Sequence, residues 1–120
     1  MVARLQRACS VFLVEDEVMI RTMVADMLVE LGHRVVAETG MVAGALAMAQ
    51  TAQFDLAILD INLGGQLIYA VVARNRPLIF ATGYSPTTIP ERYENYPRLQ
   101  KPFQIDPLEK AIRDVLTGGQ

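Results

Sequence analysis

Between Leu56 and Leu59 the chain is wholly apolar for the length of a short strand. A single carboxylate, Asp60, follows, and soon after it the pair Gly64-Gly65. A strand covered by helices on both faces reads as an unbroken apolar run rather than an alternation, and such strands belong to parallel sheets. A charged group at the end of the run is then delivered to the sheet edge. Asp60 taken alone is equally compatible with an acid that merely initiates the turn before Gly64. The remaining segments have to decide between a reactive carboxylate and a turn-former.

Taken in order, they repeat the pattern. Ser10 to Val14 is a β-branched and aromatic run that ends in Glu15-Asp16-Glu17. Ile20, Met23, Val24, Met27, Leu28 and Leu31 then recur at helical spacing, with Thr22, Asp26 and Glu30 opposite, and Gly32 supplies a left-handed stop. Arg34 to Glu38 reads as a second strand, and Val42 to Ala49 as an Ala-rich helix with Val42, Ala45, Leu46 and Ala49 inward. After Asp60, a short helix is expected from Gln66 to Asn75, stopped by Pro77, and a fourth strand from Leu78 to Ala81. From Ser85 to Tyr96 the prolines at 86 and 90 permit at most a short irregular helix beginning near Thr88. Leu99-Gln100 makes a minimal fifth strand before Lys101-Pro102-Phe103. Asp106 as N-cap and Pro107 as the first helical residue then open a last helix with Leu108, Ala111, Ile112, Val115 and Leu116 inward. Five alternations of strand and helix imply an α/β, three-layer, doubly wound parallel sheet of flavodoxin-like type, with strand order 2-1-3-4-5.

Size and charge narrow the function. At 120 residues one domain fits, and 52% hydrophobic residues provide an ample core without any run long enough to span a membrane. No signal-type segment opens the chain, so it reads as cytoplasmic. With 11 basic and 13 acidic residues interspersed, nothing draws the chain to nucleic acid. A lone Cys9 cannot close an internal disulfide, and a lone His33, read as a surface residue after a helix, cannot build a His-rich metal site.

In a doubly wound sheet the ligand site lies beyond the carboxyl ends of the strands, where the strand order reverses. Glu15 and Asp16 end the first strand, Asp60 the third, Thr82 the fourth and Lys101 the fifth. Three carboxylates crowded there need a cation or a proton to offset them. An all-oxygen set suits a hard divalent ion, Mg²⁺ being the best match. Acids at a helix N-terminus would by themselves account for Glu15-Asp16-Glu17, but not for Asp60 in the same neighbourhood. A carboxylate nucleophile, Mg²⁺, the Lys101 ammonium and the Thr82 hydroxyl are together the parts that phosphoryl transfer requires.

At this point the chain resembles the receiver domain of bacterial two-component response regulators. The resemblance rests on Leu13-Val14-Glu15-Asp16-Glu17, Leu59-Asp60-Ile61-Asn62-Leu63-Gly64-Gly65, Ala81-Thr82-Gly83-Tyr84 and Lys101-Pro102-Phe103, in the family's order. It implies that Asp60 accepts a phosphoryl group from a phosphohistidine on a sensor histidine kinase or histidine phosphotransfer protein. It also implies that Asp16, Asp60 and the Asn62 backbone carbonyl hold Mg²⁺, with Glu15 acting mostly through a metal-bound water. Thr82, Lys101 and the backbone N–H groups of Asn62 and Gly83 would contact the phosphoryl oxygens, and the Lys101-Pro102 bond would be cis. The expected partners are that phosphodonor and a downstream protein target, with no membrane or direct nucleic-acid role. The chain would be a monomer or weak homodimer that catalyses only its own phosphorylation and dephosphorylation.

Three departures from the family pattern are visible. The position three residues before Lys101, usually a switch aromatic, is Arg98, which adds charge near the lysine. Phe80-Ala81-Thr82-Gly83-Tyr84 instead resembles the FATGUY subgroup, often stand-alone receivers, and makes Tyr84 the substitute candidate. The stretch from Asp60 to Thr82 is short, so the third helix loses a turn. Separately, no ionisable residue occurs from Thr39 to Gln53, and Met41, Gly44 and Met48 would form an adaptable apolar face for a partner. Two other functions remain open. One is a Mg²⁺-dependent phosphohydrolase with an aspartyl nucleophile, although Asn62 cannot transfer protons at neutral pH as that class requires. The other is a pseudo-receiver that binds partners without phosphorylation. A single domain over 1–120 without an output domain disfavours a DNA-binding regulator.

Overall fold

A computed structural model describes residues 8–61, 65–83 and 95–117. Five strands, β1 (Ser10–Val14), β2 (Arg34–Thr39), β3 (Leu56–Asp60), β4 (Leu78–Thr82) and β5 (Arg98–Gln100), form one sheet in the order β2-β1-β3-β4-β5, and every pairing is parallel. The described helices are α1 (Val18–Glu30), α2 (Val42–Thr51), α3 (Gly65–Val72) and α4 (Ile105–Leu116). The expected irregular helix after Ser85 lies outside the described residues.

Why the inner strands read as unbroken apolar runs is plain from their two faces. Phe12, Val14, Ala57, Leu59 and Phe80 pack toward Ala45 and Ala49 of α2 and Leu67 and Val71 of α3. Their neighbours Val11, Leu13, Leu56, Ile58 and Ile79 pack toward Val24 and Leu28 of α1 and Leu108 and Ile112 of α4. Successive side chains alternate between the two layers, so all five residues of β1 and of β3 are buried. Each fully buried Leu, Ile or Phe contributes about 1.5–3 kcal/mol relative to exposure. Edge strand β2 alternates exposed and half-buried residues instead, and it carries a bulge. Val11 pairs with Val35 but Phe12 pairs with Ala37, which leaves Val36 as the extra residue, 45% exposed.

Helix ends explain most differences from the sequence reading. α1 closes in a Schellman motif: Gly32 at φ 93° donates to the Val29 carbonyl, and His33 N–H donates to the Leu28 carbonyl. That motif draws the residue after the glycine inward against the last turn, so His33 is buried at 4% exposure rather than lying on the surface. Its Nδ1 accepts the Cys9 N–H at 3.1 Å, and the Cys9 Sγ lies 3.4 Å away. α4 starts one residue before the expected cap: Gln104 is the N-cap, Asp106 lies in the first turn and Pro107 is the third helical residue. Proline is tolerated there because first-turn N–H groups have no intrahelical acceptor. α3 is short as expected and ends at Val72, with Asn75 taking φ 59° in the turn before Arg76-Pro77. Beside that turn, the Arg74 guanidinium donates to the Ala49 carbonyl at the end of α2 and lies 5.2 Å from the Phe54 ring centroid.

Two side chains depart from their expected faces. Met23 is 42% exposed, so α1 buries the narrower stripe of Val24 and Leu28. Met48 packs against the α2–α3 layer rather than facing out. The suggested apolar face is therefore not continuous: Met41 is 71% exposed, Gly44 half-buried and Met48 turned inward. No described helix is long and apolar enough to cross a membrane.

Candidate acidic site at the carboxyl edge of the sheet

Glu15 leaves β1 where the ladder to β2 is still intact, its N–H donating to the Thr39 carbonyl at 3.1 Å. Asp60 is the last residue of β3, next to β1 in the sheet, so the register brings the two acids to one edge. Both are buried, at 2% and 3% exposure, whereas Asp16 is exposed. Carboxylate oxygens of Glu15, Asp16 and Asp60 lie within 4.8 Å of one another.

Lys101 enters this cluster from the end of β5. Its N–H donates to the Thr82 carbonyl at 2.6 Å, which carries the β4–β5 ladder one residue past the strand, and the Lys101–Pro102 peptide bond is cis. The Lys101 Nζ donates to Asp60 Oδ2 at 3.0 Å and to Glu15 Oε1 and Oε2 at 3.0 and 3.2 Å. One ammonium thus bridges two buried carboxylates. Burial pushes the Glu15 carboxyl above its ordinary range, against the Glu17 N–H and the Lys101 ammonium, which both favour the ionised form. Burial also pulls Lys101 toward deprotonation, but the hydrogen bonds its ammonium donates to Asp60 and Glu15 outweigh it and hold the lysine above its ordinary value. The ammonium is therefore charged at neutral pH. Two buried carboxylates and an exposed third against one cation leave net negative charge, and the donors are oxygens only. That set fits a hard divalent cation such as Mg²⁺, which keeps several of its waters.

Other residues singled out from the sequence fall around this edge. Thr82 ends β4, half-buried, and Gly83 follows it with open space where a Cβ would stand. Arg98 begins β5, exposed, opposite Phe80. Asn62 and Tyr84 lie outside the described residues. The sequence reading missed two contributors. Arg21, on the first turn of α1, donates from Nη1 to the Glu15 carbonyl at 2.7 Å, and its Nε lies 3.5 Å from Glu38 Oε1. Gly40, after β2, lies so close that a Cβ there would meet that Nη1 at 2.5 Å and the Glu15 carbonyl oxygen at 3.1 Å. Neither residue belongs to an apolar period or to an acid cluster, so no local signal marks it.

The model of the response regulator receiver domain matches residues 11–113. The chain belongs to this family. Phosphorylation and Mg²⁺ binding at an acidic pocket are general properties of receivers in bacterial two-component systems. This receiver is 33% identical over 110 residues to the transcriptional regulatory protein PdtaR of Mycobacterium tuberculosis, a match covering 85% of the chain and 54% of PdtaR. It thus spans about half the length of the curated relatives it matches. The solution structure of SdrG from Sphingomonas melonis Fr1 is similar with a TM-score of 0.81 and 37% identity, covering 93% of this chain and 99% of that one. The BeF3-activated conformation of SdrG from Pseudomonas melonis Fr1 gives 0.76 and 38%, covering 89% and 95%.

Proposed function

We infer that this receiver takes a phosphoryl group onto Asp60 from a phosphohistidine of a sensor histidine kinase or histidine phosphotransfer protein. The phosphorylated form then changes its binding to a downstream protein. The observation that carries this reading is the position of Asp60. It is a buried carboxylate at the end of a central strand, 3.0 Å from the Lys101 ammonium and within 4.8 Å of the Glu15 and Asp16 oxygens.

In the transfer an Asp60 oxygen forms a bond to phosphorus while the phosphorus–nitrogen bond to the donor histidine breaks, the electron pair leaving with the imidazole. Glu15, Asp16, Asp60 and the Asn62 backbone carbonyl would hold Mg²⁺, which supplies charge neutralisation to the phosphoryl oxygens. Lys101, already between Glu15 and Asp60, swings its ammonium onto a phosphoryl oxygen, where a compact cation offsets the added charge. The Thr82 hydroxyl and the N–H groups of Asn62 and Gly83 donate to the remaining oxygens. A dianion beside Thr82 creates charge-assisted bonds that favour one arrangement of the loop after β4, with Tyr84 and Arg98 as the residues that report it.

Mass spectrometry of the wild type and Asp60→Asn after exposure to acetyl phosphate and Mg²⁺, followed by partner capture, tests the reading. One phosphoryl group on the wild type and none on the variant is the expected result. Equal labelling of both proteins, or none on the wild type, would overturn it.

A further inference from the structure

The peptide unit joining Glu15 to Asp16 is gripped from outside the acidic cluster. Its carbonyl oxygen accepts a 2.7 Å hydrogen bond from Arg21 Nη1, while the Arg21 Nε side faces Glu38 across 3.5 Å. Gly40 leaves just enough room for this grip, since a Cβ would lie 2.5 Å from Nη1, 3.1 Å from the carbonyl oxygen and 3.2 Å from the Asp16 Cα. A peptide bond is planar, so fixing the Glu15 carbonyl also fixes the Asp16 N–H and Cα, leaving rotation about the Asp16 N–Cα bond as the one backbone freedom between that plane and the Asp16 side chain. The Glu15 carboxylate is fixed separately by the Glu17 N–H and by Lys101. Arg21 therefore holds the peptide plane through which the two neighbouring acids are joined.

We propose that Arg21 is a positioning residue for the divalent-cation site, and that by fixing the Glu15–Asp16 peptide it makes the site select Mg²⁺ over Ca²⁺. The proposal rests on the reading above that Glu15, Asp16 and Asp60 hold the ion. Mg²⁺ demands near-octahedral ligands at short distance, whereas Ca²⁺ accepts more ligands at longer and more variable ones. A site whose two acids lose their relative orientation is penalised for the smaller ion first. Groups behind metal ligands commonly carry 10- to 100-fold in affinity, roughly, by this kind of orientation. Electrostatics alone has the opposite sign: deleting a guanidinium beside an acidic cluster makes the site more negative and should tighten both cations.

MgCl₂ and CaCl₂ titrations of the wild type, Arg21→Gln, Arg21→Lys, Gly40→Ala and Glu38→Gln, followed by amide NMR shifts and by calorimetry, separate these effects. Arg21→Gln is expected to weaken Mg²⁺ about tenfold and Ca²⁺ by no more than about twofold. Gly40→Ala, whose Cβ displaces Nη1, should reproduce that loss without adding to it in the double variant. Arg21→Lys restores part of it, and Glu38→Gln, which removes only a partly exposed partner, stays within about twofold of the wild type. Unchanged or tighter Mg²⁺ binding in Arg21→Gln overturns the proposal, as does equal weakening of both ions. Asp16→Asn tests the underlying reading separately. If it binds Mg²⁺ like the wild type, the ion site itself is misassigned, whatever Arg21 does.

Discussion

Asp55 and Asp60 bracket β3, five positions apart, and they are held in opposite ways. At the amino end, Asp55 Oδ2 accepts the Ser10 N–H at 3.0 Å and the Ser10 hydroxyl at 3.1 Å, while the Asp55 N–H donates back to that hydroxyl at 3.1 Å. These Ser10 donors are neutral, local to two strand ends and reciprocal. At the carboxyl end, Asp60 faces a cation on a long flexible stem that it shares with Glu15. A carboxylate locked by backbone and hydroxyl groups staples two strands together. One held by a lysine can exchange that partner for a metal ion or a phosphoryl oxygen. A purely structural role, open for any acid next to a strand, thus describes Asp55, whose Ser10 partners lie on another strand, whereas the lysine-held Asp60 has a partner that can move.

The contrast can be broken most forcefully with Lys101→Ala. Removing it leaves Glu15 and Asp60 buried without their ammonium, a change expected to cost about 3 kcal/mol in metal-free buffer, at the lower end for a broken buried pair because Asp16 opens the cluster to water. Mg²⁺ should restore part of that stability, and labelling by acetyl phosphate should fall steeply. Chemical denaturation with and without MgCl₂ checks it, and a loss indifferent to the ion would contradict a cation-exchange site. Asp55→Ala comes next: about 1–3 kcal/mol for the Ser10 donors it leaves unpaired, no rescue by Mg²⁺, and phosphorylation retained in the folded fraction.

A finer distinction comes from pH. Since burial raises the Glu15 carboxyl above 4.5, the folded chain without metal binds that proton more tightly than the unfolded chain. The resulting stability is complete below 4.5 and is lost as pH rises through the raised folded value. The melting temperature of the wild type minus that of Glu15→Gln, measured without metal, should therefore increase on acidification toward 4.5. With saturating Mg²⁺ the trend should weaken or reverse, because the proton then competes with the ion. Lys101 has the same sense at the other end of the scale, its contribution full below 10.5 and lost as pH rises through its own raised value. The smallest effect sets the floor. Lys110→Ala breaks an exposed pair with Asp114 in α4, far from either end of β3 in sequence, and should change stability by no more than about 0.5 kcal/mol in a denaturant titration.

Elements with a strong apolar period were legible before any coordinates. The strand order, the short α3, the left-handed stop at Gly32 and the meeting of Glu15, Asp60, Thr82 and Lys101 at one edge all follow from strand-length runs that end on polar groups. What escaped depends on single contacts of backbone and side-chain atoms, which leave no period behind. His33 looks like a surface residue until the Schellman motif turns it inward, and Asp106-Pro107 signals a helix start that falls two residues too late because Gln104 serves as the cap. Arg21 and Gly40 escaped for a similar reason, since their partner is a carbonyl oxygen six positions before the arginine.

Val36 has a consequence of a different kind. The residue inserted there interrupts the even spacing of N–H and C=O groups along the outer side of β2. A strand from a neighbouring molecule trying to lie alongside would find its bonds in step at one end and out of step at the other. Crowded copies of this molecule therefore meet a built-in obstacle to stacking edge to edge, the first step by which open sheets go on to form fibres.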